Sequence, residues 1–210
     1  MCIRDSYGMG GRVSSLQFAI TVVGFSTVRT LATMSLAEST EDSELPDDFW
    51  DLGTGLALAA SRLAPRFGEY QPDALCLGLL SQVGAALLHH HDPVGYRALV
   101  DEQPDVTRRR IAEKRRYGIS GMQLSAAALT RWYFPDGMVL PLERVDDRTS
   151  PRGGLLRTAY EVVGRLATPD RTPVPVAAIS CGMVVESDLP PVLYDVRVEL
   201  TSMRGMFSES

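Results

Sequence analysis

His89-His90-His91-Asp92 is the stretch of this chain most suggestive of chemistry. Imidazole nitrogens and carboxylates are the ligands of choice for zinc and related divalent ions. The spacing argues against a metal centre. Successive helical residues point about 100° apart, so three adjacent imidazoles do not readily converge on one ion. Metal-binding helices use i, i+3 or i, i+4 pairs instead. His at a helix C-terminus suits the dipole, and Asp92-Pro93 is a stop signal. The tripeptide reads as a helix end. These are the only 3 histidines in the chain, so a mechanism needing dispersed His ligands, or a remote His base, is excluded.

The other candidates are weaker. Gly118-Ile119-Ser120-Gly121 falls short of a GxSxG nucleophile elbow and lacks the strand that aims such a serine; it reads as a helix stop followed by a cap. Arg108, Arg109, Arg110, Lys114, Arg115 and Arg116 form a candidate interaction face for nucleic acid or phosphate. No interleaved aromatics and no helix-turn-helix accompany them, so a solvated helix face is the plainer reading. Glu143, Asp146 and Asp147 are nearby carboxylates without matching ligands and read as loop charge. Trp50 and Trp132 fall on apolar helical stripes and read as core. Cys2, Cys76 and Cys181 are far apart, which suggests neither a zinc site nor a disulfide framework.

The elements that must position these residues read as helix after helix. Ser14 to Gln17 is a capping-box signature, followed by the stripe Leu16, Ala19, Ile20, Val23, and a second segment carries Val28, Leu31, Ala32 and Leu36. An acidic loop over 38–45 precedes a helix bearing Phe49, Leu52, Leu56, Ala59, Ala60 and Leu63. Pro72 and Asp73 open a helix expected to run unbroken to about His89 and to be the central buried one. Helices are also expected over 94–102, 106–117, 121–132, 136–145, 155–166 and 189–207. Residues 174–185 are rich in Val and Ile but have no partner strand, so they are assigned to a buried helix.

Length and composition agree with an ordinary globular domain: 210 residues, 45% hydrophobic, 22% charged. A net charge of −5 gives no general electrostatic case for nucleic-acid binding. The longest apolar run, 74–88, is short for a membrane span. With no leader pattern, the cytoplasm is the expected location. Residues 1–6 read as the in-frame translation of a sequencing-adapter end, so one domain is expected over 7–210.

Several segments together carry a family resemblance. Tyr7-Gly8, then Arg12-Val13-Ser14-Ser15-Leu16-Gln17-Phe18-Ala19-Ile20, then Val23-Gly24-Phe25 resembles the "YG…RxVSSLxxAIxxLG" signature of HDOD domains. Phe49-Trp50 resembles that family's "FW" helix. Asp73-Ala74 to Gly84 resembles its "GLLHDIG" helix. Glu113, Tyr117-Gly118-Ile119, Trp132 and Pro135 resemble its "E…FG…GxxLLxxWxxP" segment. The resemblance implies an all-α, HD-like helical bundle, incomplete at its N-terminus. It further implies a non-catalytic output domain of bacterial signalling, related in fold to metal-dependent HD phosphohydrolases.

The chain departs from the pattern at each potential ligand position. The His-Asp pair becomes Ser81-Gln82, and the other family histidines fall near Leu52, Gly121, Val145 and Asp146. Neither Ser nor Gln offers an imidazole or an ionised carboxylate. The expectation is no metal, no other cofactor and no catalysis, with function exerted through a protein partner or a small signalling ligand. The alternatives are a divergent HD-type phosphohydrolase and a nucleic-acid-binding regulator acting through residues 108–116.

Overall fold

The computed structural model describes residues 48–208, with side chains to residue 202. The capping box at Ser14, the two segments over 16–36 and the acidic loop lie outside the described residues. Within them the chain is helical without strands. The helices are α1 (Phe49–Leu63), α2 (Gln71–Leu80), α3 (Val83–His91), α4 (Pro93–Glu102), α5 (Val106–Tyr117), α6 (Gly121–Arg131), α7 (Asp136–Glu143), α8 (Pro151–Ala167), the single turn α9 (Val176–Ile179) and α10 (Leu189–Ser208). None is long and apolar enough to cross a membrane.

Local chemistry sets most boundaries. Asp92 caps α4 by accepting from the Gly95 amide at 2.9 Å, and Asp105 caps α5 by accepting from Thr107 at 2.8 Å. Gly118 ends α5 with a φ of 76°, a left-handed conformation that favours glycine. Ser120 and Gln123 then form the capping box of α6.

The stripe Leu52, Leu56, Ala59, Ala60 and Leu63 buries α1 against α2, α8 and α10. Helix α3 packs on α6, and α7 lies between α6 and α8. The α3–α6 contact is so close that a Cβ at Gly84 would overlap the Gly121 carbonyl oxygen.

The structure corrects four expectations. The helix expected to run unbroken to His89 is two helices, interrupted at Ser81-Gln82. The most enclosed helix is instead α8, buried at every position from Gly153 to Gly164. Residues 174–185 hold one helical turn, because Pro173 and Pro175 delay its start and a left-handed Cys181-Gly182 corner ends it. Trp50 and Trp132 are 42% and 41% exposed rather than core.

Candidate functional site

The interruption between α2 and α3 is the starting point of the site. The Ser81 hydroxyl donates to the Gly78 carbonyl at 2.6 Å, a local bond that competes with the helical ladder. The Gln82 amide donates to Leu79 rather than to Gly78, tightening the last turn of α2. The backbone groups freed by the break are recovered by Ser125 of α6. Its hydroxyl accepts from the Gly84 amide at 2.7 Å and donates to the Ser81 carbonyl at 2.9 Å. One hydroxyl thus closes both halves of the broken ladder.

Four of the degenerate ligand positions then converge. Leu52, Ser81, Gln82 and Gly121 line one small cavity of about 20 Å³. That is room for about one water molecule. Polar side chains from α4, α5 and α8 complete the lining. Gln82 Nε2 donates to the Tyr160 hydroxyl at 2.9 Å and to Ser81 Oγ at 3.3 Å. The Tyr96 hydroxyl donates to Glu113 Oε1 at 2.7 Å, and the Gly121 amide donates to Oε2 at 2.7 Å. Arg110 lies over the Tyr160 ring, 5.7 Å from its centroid.

Burial governs the electrostatics. Desolvation pushes the Glu113 carboxyl above its ordinary range, opposed by the hydrogen bonds from Gly121 and Tyr96 and by Arg109. Desolvation and the Glu113 charge push the Tyr96 hydroxyl up, and desolvation does the same to Tyr160. Both tyrosines are therefore neutral donors and acceptors across the physiological range.

These residues do not suit a divalent metal. Leu52 and Gly121 bring no side-chain ligand, and Ser81 and Gln82 bring weak ones already used internally. Glu113 has both oxygens engaged, and the Arg109 and Arg110 guanidinium groups would repel a cation. Among the described residues no group of three or more His, Cys, Asp or Glu could hold a metal ion.

The remaining candidates are dispersed. His89 is buried at the end of α3, edge-on to Tyr96 with ring centroids 6.2 Å apart, whereas His90 and His91 are exposed. Val145 is buried outside the cavity, its carbonyl accepting from Arg157 Nη1 at 3.3 Å. Asp146 reaches the site only through Arg110, whose Nη2 donates to it at 2.7 Å.

The basic residues over 108–116 do not form one face. Arg109 is buried, donating to Asp48 at 2.6 Å and to the Gln103 carbonyl at 3.2 Å. Arg110 is turned inward to Asp146, and Arg116 bonds Asp92 at 3.3 Å. Arg108, Lys114, Arg115 and Arg116 remain exposed. The reason is periodicity: six cations within nine helical positions must point all round the axis.

Tyr96, Ser125 and Tyr160 were not identified by sequence as site residues. A signal for Arg109 and Glu113 was present, since Val106, Arg109 and Glu113 share one helical stripe at i, i+3 and i+7 and are the buried residues of α5.

Comparison with solved structures gives the same architecture. A candidate phosphohydrolase from Shewanella amazonensis SB2B superposes with a TM-score of 0.62 at 20% identity, covering 93% of this chain and 75% of that one. The MmoQ response regulator from Methylococcus capsulatus strain Bath gives 0.56 at 25% identity, covering 91% and 81%. No curated protein is significantly similar in sequence. The HDOD domain model matches residues 5–147, more than half of the sequence and all of the cavity lining except Tyr160. The chain belongs to the HDOD domain family.

Proposed function

We propose that this HDOD domain is a non-catalytic regulatory module of bacterial signalling that acts by binding a protein or a small ligand. The observation that carries this reading is the hydrogen-bond network of Gln82, Tyr160, Tyr96, Glu113 and Gly121, which leaves a cavity of only about 20 Å³. The HD fold relationship would place a metal centre there, and these residues spend their polarity on one another instead. A cavity of that size also has no room for a phosphate ester. The name of one structural neighbour, a response regulator, agrees with a signalling context. A binding module of this kind influences a pathway only by favouring one of two states of its partner.

The test is metal content and hydrolysis. Purified protein, dialysed after incubation with Mn²⁺, Fe²⁺ or Zn²⁺, is expected to retain far less than one metal per chain and not to hydrolyse bis-p-nitrophenyl phosphate. The Ser81→His, Gln82→Asp double variant is expected to behave the same way, because Leu52 and Gly121 still supply no ligand and Arg109 and Arg110 still line the cavity. One tightly held metal per native chain, with hydrolysis, would replace this reading with that of a divergent phosphohydrolase.

A further inference from the structure

A second cavity, of about 340 Å³, opens at the surface where α2, α7 and α8 meet and has no part in the network described above. Its apolar lining includes Phe67, Leu77, Met138, Leu155 and the half-exposed Met183. Pro135 and Pro151, both exposed, stand at its rim and fix the chain where α7 and α8 begin. The size suits one large side chain together with its flanking main chain, and an apolar lining with a few polar groups is the usual make-up of a binding cleft.

Two features point to the occupant. Glu69 and Asp73 project from the α2 side, both exposed, and neither side chain has an ion-pair partner among the described residues. Arg152 of α8 is likewise exposed and unpaired, so the cleft carries two free carboxylates against one free guanidinium. In addition, Pro135 and Ser150, the residues preceding α7 and α8, make no side-chain cap hydrogen bond. The amides of Gly137 and Arg152, in the first turns of α7 and α8, have no intrahelical acceptor and can donate to carbonyls of an incoming main chain, whereas Pro151 itself has no N–H.

We propose that this cleft is a docking groove for a partner peptide that inserts one large apolar side chain beside a basic residue. The apolar side chain is held over Met138, Leu155 and Leu77, and the basic residue meets Glu69 and Asp73. This deepens the binding reading of the preceding section and rests on it. Charge complementarity supplies selectivity over acidic competitors, while the apolar anchor supplies most of the affinity.

Full-length protein carrying ¹³C-methyl methionine provides the test, with Met138 and Met183 as reporters in the cleft. Three short Gly-Ser peptides are titrated, with central Lys-Phe, Glu-Phe or Lys-Ser. The Lys-Phe peptide is expected to shift both methyl signals saturably, with the other two at least about tenfold weaker. The Glu69→Lys, Asp73→Lys double variant changes only exposed residues and should reverse the preference in favour of Glu-Phe. No shift of either methyl, equal shifts from all three peptides, or a Lys-Phe preference that survives the double charge reversal would overturn the proposal. Metal analysis of the same preparation keeps the two readings apart. A metal-free protein that ignores the peptides sinks the groove alone, whereas stoichiometric metal sinks the non-catalytic reading.

Discussion

His89 is the residue whose burial is least compensated. Both ring nitrogens are enclosed without a hydrogen-bond partner. Burial holds its pKa below the ordinary value of 6.5, and the positive charges of Arg97 and His90 add to the effect. The unfolded chain therefore takes up the proton first as pH falls. Stability from this group is intact above about pH 6.5 and is lost as pH drops from there toward the folded-state pKa. Glu113 acts in the opposite sense. Its pKa is raised above 4.5, so its contribution is full below that value and declines as pH rises through the folded-state pKa. The two can be separated by substitution. His89→Leu keeps apolar volume beside Tyr96 and removes the titrating ring. Its urea midpoint is expected to match or exceed that of the native protein at about pH 7.5, and to exceed it by more at about pH 5.5. If the native protein and the variant lose stability in parallel between those two values, the acid sensitivity belongs to another group.

The same contrast between propensity and enclosure decides the helices. The apolar run from Ala74 to Leu88 carries no proline or charge, and by periodicity it is one helix. It breaks at Ser81-Gln82 because a hydroxyl on another helix is placed to take the orphaned amide and carbonyl. Ser125→Ala would leave the Gly84 N–H and the Ser81 C=O unpaired in a site where Ser81 and Ser125 are fully buried. The expected cost is about 2–4 kcal/mol, read as a fall in the urea midpoint at unchanged slope. A variant within about 0.5 kcal/mol of the native protein would mean that the break does not depend on this hydroxyl. Most helix boundaries were legible because they rest on residues near in sequence: Asp92, Asp105, Gly118 and Ser120 act on amides or turns within a few positions. The break was not, since Ser125 is more than forty residues from Ser81. For the same reason the site was half legible. Ser81, Gln82, Leu52 and Gly121 could be identified as positions lacking ligands. Most of what replaced those ligands could not, because Tyr96 reaches Glu113 and Tyr160 reaches Gln82 only when α4, α5 and α8 are packed. Arg157 is a further case: its guanidinium donates to the carbonyls of Arg144, Val145, Asp147, Ser150 and Ile179, ordering two loops that have no periodic pattern of their own.

On the scale of the whole molecule, several arginines are spent internally. Arg109 and Arg110 are turned toward the core, and Arg165 and Arg171 clasp the buried Glu161 of α8, holding the 171–174 loop through the Val174 amide. In a chain with net charge −5, the basic cluster exposed on α5 is small: Arg108, Lys114, Arg115 and Arg116, with Arg116 already bonded to Asp92. Binding to nucleic acid through such a patch would rest on few phosphate contacts and fade within physiological salt. The native protein is expected to show no retention on single- or double-stranded DNA or on RNA at about 0.15 M salt. The choice of variant matters here. Arg109→Glu would set a second carboxylate against Asp48 and strip the Gln103 carbonyl of its donor, so it is expected to lower stability by about 3–5 kcal/mol. A loss of binding in that variant would report unfolding rather than a lost contact. Lys114→Glu with Arg115→Glu changes only exposed positions and should leave the urea midpoint within about 0.5 kcal/mol of native. Salt-dependent retention of the native protein, abolished in this double variant while its stability is unchanged, would establish the α5 surface as a nucleic-acid interface and overturn the expectation drawn from the charge distribution.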